Sequence, residues 1–390
     1  MTANINLPRI LRIGAGCSRQ LPEILKELKL KHPLLVSDAF IVSLGWLNTL
    51  QSQLDDCGIQ HSSFTGVVPD PTTDAVAAGL AVLKQKQGPD QHDCVVALGG
   101  GSTIDTAKAI ATMAYREHPM RQYKVPQTID DGLPIIAIPT TAGTGSEATR
   151  AAVITDTQSQ EKMLCMGLGL MPIAALVDFE LTMNMPWRLT ADTGLDSLCH
   201  ALEAYVSKKA SPFTDTMALA AISSINRHIR TACQQPDNRK AREAMMLAAT
   251  QGGIVFSNSS VTLIHGMSRP IGALFHVPHG LSNAMLLPEI TAWSIAGAPA
   301  RYADCARAMA LASPDDSDDL ANQKLVSGLH QLCRDLDVPS PAQFGISEQQ
   351  WLQSLPTMAQ QALNSGSPAN NPRIPSADEI IALYQKVWAN

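Results

Sequence analysis

The chain has 390 residues, 45% of them hydrophobic but only 4% aromatic, and 29 basic against 35 acidic residues give a formal charge of -6. At roughly 100–200 residues per domain this length predicts two domains or one large one, with enough apolar residues for real cores rather than disorder. The acidic balance has no extended Lys/Arg run for a phosphate backbone to meet, no window approaches the ~20 apolar residues that cross a bilayer, and the start MTANINLPRILRIGAG lacks a signal-like apolar stretch. Neither nucleic acid nor a membrane is therefore an expected partner. The eight cysteines, scattered through apolar segments without a CxxC pair, read as reduced core thiols of a cytoplasmic protein.

Up to about residue 185, short apolar runs alternate with turns and helical stretches: Pro33 to Val36, Cys94 to Leu98, Leu133 to Ile138, and Ala174 to Val177. Continuous apolar runs of that length between helices predict buried parallel strands, hence a layered α/β domain over 1–185. After Met185-Pro186-Trp187 the strand runs stop, and segments with a period near 3.6 residues follow, among them Ala241 to Ile254, Ser282 to Ala298 and Ala300 to Leu311. Residues 186–390 are thus expected to be all-α, with Pro299 breaking two helices. Segment 364–376 is expected to be a loop ahead of a last helix, Ala377 to Trp388.

The segment VVALGGGSTIDTAKAIA runs from a strand through Gly99, Gly100, Gly101 and Ser102 into a helix expected to start near Thr103. Glycines let backbone N–H groups approach a diphosphate, and a helix N-terminus adds unpaired donors. Ser102 is placed as the cap, with Asp105 three residues on completing a capping box at the same cofactor turn. The run 33–36 ends in Ser37-Asp38, a carboxylate where Rossmann-like sheets hold ribose hydroxyls, and an acid there favours NAD over NADP. It precedes the glycine turn by about sixty residues, so the fold is expected to be a Rossmann variant. The run ending at Ile138 leads into Pro139-Thr140-Thr141-Ala142-Gly143-Thr144-Gly145-Ser146-Glu147, whose hydroxyls suit ribose and phosphate oxygens; singly, a tight βα turn needing glycine, an exposed Asp at a strand end and a hydroxyl-rich structural turn explain the three features.

Of ten histidines, His265, His276 and His279 fall close together. In LTADTGLDSLCHALEAYVS, Asp196 and His200 are four apart and share one helix side, fit for a metal ion or for a mutual hydrogen bond. His265 is expected to end an apolar helix, Met245 to Ile264, and His279 follows Pro278 in the first turn of the next. Three nitrogens and one oxygen suit a divalent iron or zinc ion.

The motifs GGGSTIDTAKAI, IPTTAGTGSE, GLDSLCHALEAY, HGMSRPIG and HVPHGLSNAMLLP, in order along nearly the whole chain, resemble the iron-containing (group III) alcohol dehydrogenase family. The resemblance implies a dehydroquinate-synthase-like fold, with an N-terminal Rossmann-like NAD-binding domain, an all-α C-terminal metal-binding domain and the active site in the cleft between them. It implies Asp196, His200, His265 and His279 as metal ligands for Fe2+ or Zn2+. It also implies NAD contacts at Asp38, Asp70, Gly100, Gly101, Ser102, Thr140, Thr141, Thr144 and Lys162. The expected reaction is hydride transfer between nicotinamide and a small alcohol or aldehyde, by a homodimer or larger homo-oligomer.

The chain departs from the family at Arg269, where many relatives carry a histidine tied to proton transfer or substrate contact. His276 is the candidate to take the proton instead, and Arg269 suggests a substrate bearing a carboxylate or another anionic group. Two competing readings are a lyase of the same fold, which needs several Lys/Arg for a sugar phosphate, and a silent NAD-binding scaffold. Aldehyde-dependent loss of NADH separates the scaffold from an enzyme.

Overall fold

A computed structural model describes residues 2–159 and 161–388. It divides into two compact units, Asn6–Asn184 and Met185–Asn390 together with Met1–Ile5. The first unit holds strands β1 (Ile10–Ile13), β2 (Pro33–Asp38), β3 (Ser62–Val67), β4 (Cys94–Gly99), β5 (Ile135–Pro139), β6 (Ala151–Asp156), β7 (Glu161–Met166) and β8 (Ala174–Val177). Its helices are α1 (Leu21–Leu28), α2 (Ala39–Ser43), α3 (Trp46–Asp56), α4 (Thr73–Leu83) and α5 (Gly101–Met113).

Six strands form one sheet in the order β1-β8-β5-β4-β2-β3, every neighbouring pair parallel. The four apolar runs are its four inner strands, for a steric reason. Side chains alternate between the two faces: Leu34, Val36, Val95, Ala97, Ile135 and Ala137 pack with Val76 and Leu83 of α4 and Ile104 and Ile110 of α5. Leu35, Val96, Leu98, Ile136 and Ile138 face Ile24 of α1 and Leu47, Leu50 and Leu54 of α3. A strand covered on both faces must be apolar at every position. The edge strands β1 and β3 carry Arg12 and Ser-Ser-Phe-Thr-Gly, so no apolar run marks them, and neither does one mark the antiparallel pair β6–β7. Strand β5 starts at Ile135 rather than Leu133; Pro134, without an N–H, contributes only its carbonyl, which accepts from Val95 N at 2.9 Å.

Among the described residues the second unit contains α6 (Trp187–Val206), α7 (Pro212–Gln234), α8 (Arg239–Asn258), α9 (Leu263–Phe275), α10 (His279–Ser294), α11 (Pro299–Ala308), α12 (Asp318–Asp335), α13 (Glu348–Asn364) and α14 (Ala377–Trp388). Three expectations need correction. The helix expected to run to Ile264 stops at Asn258, and His265 lies in the first turn of α9 instead of at a helix end. Polar side chains end it: Asn258 Nδ2 donates to Ile254 O at 2.9 Å, and Ser259 Oγ donates to Val255 O at 2.8 Å, competing for the last carbonyls. Helix α10 stops at Ser294, and Pro299 opens α11 as its first residue, where its fixed φ fits and its missing N–H costs nothing. Cys57, at the end of α3, is exposed, whereas the other seven cysteines are buried; all eight are free. No described helix is long and apolar enough to cross a membrane.

One buried cation ties α5 to the loop after β5. Lys108 Nζ donates to Ser146 Oγ (2.9 Å), Thr149 O (3.0 Å), Thr149 Oγ1 (2.9 Å) and Ala151 O (2.8 Å). Burial pushes its pKa down to about 8, against the pull of Asp105 and Glu147. Lys108→Met strands these acceptors without a donor and should cost about 3–5 kcal/mol of stability, as for a broken buried charge pair. Urea unfolding checks this, and an unchanged midpoint contradicts the assignment.

Candidate functional site

The helix after the glycine turn, α5, begins at Gly101, two residues earlier than expected. Strand β4 ends at Gly99, Gly100 is the N-cap of α5, and no side chain caps the helix. The expected capping box of Ser102 and Asp105 is not built. Asp105 is drawn into the Lys108 network, where its carboxylate accepts from Ser146 Oγ at 2.6 Å and from Val153 N at 2.9 Å. The first-turn amides of α5 therefore have no side-chain cap, as a helix end that receives an anion requires.

The threonine loop lies directly on this turn. A Cβ on Gly101 would stand 2.6 Å from Thr144 Cγ2, one on Gly100 3.1 Å from Thr141 Cγ2, and one on Gly99 2.4 Å from Thr103 Oγ1. Thr140 N donates to Gly99 O at 3.0 Å. Because β2 neighbours β4, Asp38 reaches the same place across sixty residues of sequence: its Oδ2 accepts from Thr103 Oγ1 at 2.9 Å and its Oδ1 from Ile41 N at 3.0 Å. The structure thus gathers Asp38, Gly99, Gly100, Gly101, Ser102, Thr140, Thr141 and Thr144 around one helix end. Asp70 and Lys162 pair with each other at 2.9 Å, with Asp70 held in the left-handed region at φ 53°.

In the second unit, Asp196 and His200 stand one turn apart on α6, His265 is in the first turn of α9, and His279 opens α10. One donor atom from each lies within 4.8 Å of the others. From Asp196 Oδ1 the Nε2 atoms of His265, His279 and His200 are 3.5, 3.7 and 3.8 Å away. Asp196, His200 and His265 are buried, while the His279 side chain is 46% exposed and leaves the group open on its side. His200 is held by stacking on Phe256 of α8 at 4.3 Å and on His265 at 4.6 Å. His276, by contrast, is the exposed left-handed C-cap of α9 and stands outside the group.

Three further residues set this geometry, and the sequence reading did not single them out. Glu203, one turn beyond His200 on α6, accepts from Thr262 Oγ1 (2.8 Å) and Ile264 N (2.6 Å) with one oxygen, and from His265 Nδ1 with the other. That carboxylate anchors the start of α9 and fixes a His265 proton on Nδ1, so that Nε2 is the nitrogen turned toward Asp196. Asn283 Nδ2 lies 2.6 Å from Asp196 Oδ1, 3.1 Å from His265 Nε2 and 3.3 Å from His279 Nε2, marking the point on which those three atoms converge. Gly280 lets α10 close on α6, since a Cβ there would stand 2.4 Å from Asp192 O and 3.3 Å from Asp196 Cβ. Their signal in sequence is spacing: Asp196, His200 and Glu203 at i, i+4 and i+7 form one polar stripe on a buried helix, and Asn283 lies four beyond His279.

Burial pushes the Asp196 carboxyl up, but His200, His279 and His265 hold it well below the carboxylate range. Burial lowers His200 to about 3, leaving a neutral imidazole. Burial also disfavours the charge on His265, yet Glu203 and Asp196 outweigh it and raise that group to about 9. Three imidazoles and a carboxylate facing one point, one imidazole fixed through its far nitrogen, fit a divalent cation of borderline character, which on binding would displace the Nε2 proton that His265 otherwise holds. Glu203→Gln keeps the shape but removes the charge behind His265. It should weaken metal affinity about 10–100-fold, read by competition with a chromophoric chelator; unchanged affinity contradicts this role.

Known proteins share both the fold and these motifs. Residues 8–179 match the iron-containing alcohol dehydrogenase family, and residues 190–388 match the C-terminal part of the Fe-containing alcohol dehydrogenase family. The NAD-dependent methanol dehydrogenase of Bacillus methanolicus is 32% identical over 384 residues, 98% of this chain and 99% of that protein. The NADPH-dependent butanol dehydrogenase of Clostridium saccharobutylicum is 34% identical over 394 residues, 98% and 97% of the two chains. A crystal structure of 1,3-propanediol oxidoreductase superposes with a TM-score of 0.94 at 33% identity, covering 99% of this chain and all of the other. With matches spanning both units, the chain belongs to the iron-containing alcohol dehydrogenase family.

Proposed function

We propose that this protein is a metal-dependent, NAD(H)-linked alcohol dehydrogenase or aldehyde reductase acting on a small primary alcohol, diol or hydroxy acid. The observation that carries the reading is the convergence of Asp196, His200, His265 and His279 donor atoms within 4.8 Å. The balanced reaction is RCHO + NADH + H+ ⇌ RCH2OH + NAD+. When bound, a divalent iron or zinc ion supplies a Lewis acid for the substrate oxygen, and NAD(H) supplies or takes the hydride.

The chain's own residues bind and orient. Asp196 would offset one of a divalent cation's two positive charges, and Glu203 adds a second carboxylate behind His265. The uncapped amides of α5 take the cofactor diphosphate, while Gly100 and Gly101 leave room for it. Thr140, Thr141 and Thr144 offer hydroxyls beside that turn, and the Asp70–Lys162 pair completes the cofactor residues. Asp38, fixed by Ile41 N and Thr103 Oγ1, accepts from ribose hydroxyls and repels a 2′-phosphate. Relatives use either NAD or NADPH, so this carboxylate is what supports NAD here. We place the enzyme in the cytoplasm, where eight free cysteines stay reduced, as a homodimer or larger homo-oligomer.

After anaerobic reconstitution with Fe2+ or Zn2+, His265→Ala and His279→Ala should each lose bound metal and at least ~100-fold in kcat/KM, with the far-ultraviolet dichroism of the parent retained. Full activity in a metal-depleted variant refutes the ligand set. Asp38→Gly should raise the NADPH to NADH ratio of kcat/KM by about 10-fold or more. A wild-type enzyme that already works better with NADPH overturns the role of Asp38.

A further inference from the structure

Arg269 sits four residues after His265 on α9, so both side chains leave the same side of the helix, with Cβ atoms about 6 Å apart. The other partly buried arginines of this unit are matched by acids: Arg188 with Asp192, Arg230 with Asp335, Arg301 with Asp215, Arg307 with Asp318, and Arg373 with Glu379. Arg242, which is buried without an acid, donates instead to Pro236 O, Thr190 Oγ1 and Met185 O. Arg269 has neither arrangement. Its guanidinium makes one neutral contact, Nη1 to Ser367 Oγ at 3.2 Å, and among the described residues it forms no ion pair.

A guanidinium carries five donors in a rigid fork and keeps its charge in proteins. Here most of those donors are uncommitted while the group is partly buried. The nearby acid, Glu203, already spends both oxygens on Thr262, Ile264 and His265. A partly desolvated cation left in this state is unfavourable unless something anionic joins it. Arg269 lies one helical turn from the candidate metal ligand His265, near enough for such an anion to belong to a molecule whose oxygen meets the metal group.

We propose that Arg269 is a specificity-determining residue that binds an anionic group on the substrate, so that the preferred aldehyde is small and carries a carboxylate or sulfonate at the end away from its carbonyl. The inference rests on the dehydrogenase reading and narrows its substrate class. The fork accepts two oxygens of the anion side by side, fixing the carbonyl end by tethering the opposite end. The reaction is unchanged: the carbonyl carbon takes the hydride and its oxygen a proton, while the anionic group stays intact.

The test uses the full-length, metal-reconstituted protein with NADH. Succinate semialdehyde and sulfoacetaldehyde are compared with the neutral butyraldehyde and acetaldehyde, in the parent, Arg269→Gln and Arg269→Lys. The expected parent favours the anionic aldehydes at least ~10-fold in kcat/KM; Arg269→Gln loses about 10–100-fold on them, mostly in KM, and changes less than ~3-fold on the neutral pair, while Arg269→Lys recovers part of the loss. Calorimetric binding of propionate, with propanamide as the uncharged control, supplies a readout without turnover. Propionate should bind the parent and not Arg269→Gln. A parent that prefers neutral aldehydes, an equal loss on both classes, or propionate binding that ignores Arg269 overturns the inference. The two arms also choose between carboxylate and sulfonate. Turnover of neutral aldehydes alone leaves the dehydrogenase reading standing, whereas no turnover with any aldehyde defeats that reading and the propionate isotherms then decide the anion site.

Discussion

The candidate metal group depends on one buried carboxylate. Glu203 sits on the same helix as Asp196 and His200, and with its two oxygens it takes a hydroxyl from Thr262, the main-chain N–H of Ile264 and the ring N–H of His265. It thereby does two jobs at once: it terminates the non-helical 259–262 segment by giving α9 a first-turn acceptor, and it fixes which nitrogen of His265 faces inward. Without that anchor, three helices would still pack, but the start of α9 and the Nδ1 side of His265 would lose the acceptor that sets its imidazole 3.5 Å from the carboxylate on α6. Gly280 performs the matching service for α10, whose approach to the α6 backbone leaves no room for a side chain.

The proposed cofactor turn is built on the same principle of close approach, with glycines replacing contacts by space. Three threonine or glycine surfaces meet within van der Waals distance, and the buried Lys108 clamps the carbonyls at the far end of the threonine loop. Backbone donors at α5 are then held rigidly, so that binding need not order them. Asp105, expected as part of a helix cap, instead answers the charge of Lys108 from inside the unit, its pKa raised by burial against that cation's pull.

How much of this was legible follows from what each feature demands of composition. The four inner strands show in sequence because two-sided burial forbids polar residues, while β1, β3 and the β6–β7 pair do not, because one covered face permits an ordinary mixture. Asp196, His200 and His279 fall where spacing and Pro278 put them. The end of α8 was missed because its apolar periodicity runs on to Ile264, and only the Ser257-Asn258-Ser259-Ser260 cluster, read as competitors for helix carbonyls, signals the break. Glu203 and Asn283 were hidden for a different reason. A Glu or Asn on a helix looks solvent-facing until the helix is known to be buried nearly all round, as α6 and α10 are.

Three imidazoles and one carboxylate, with no thiolate, are the proposed ligands of the metal. X-ray absorption at the iron or zinc edge of the reconstituted full-length protein tests it most directly. The expected spectrum shows a shell of nitrogen and oxygen at about 2.0–2.2 Å, with multiple scattering from three imidazole rings. A sulfur shell near ~2.3 Å, or scattering from fewer than three imidazoles, would contradict it.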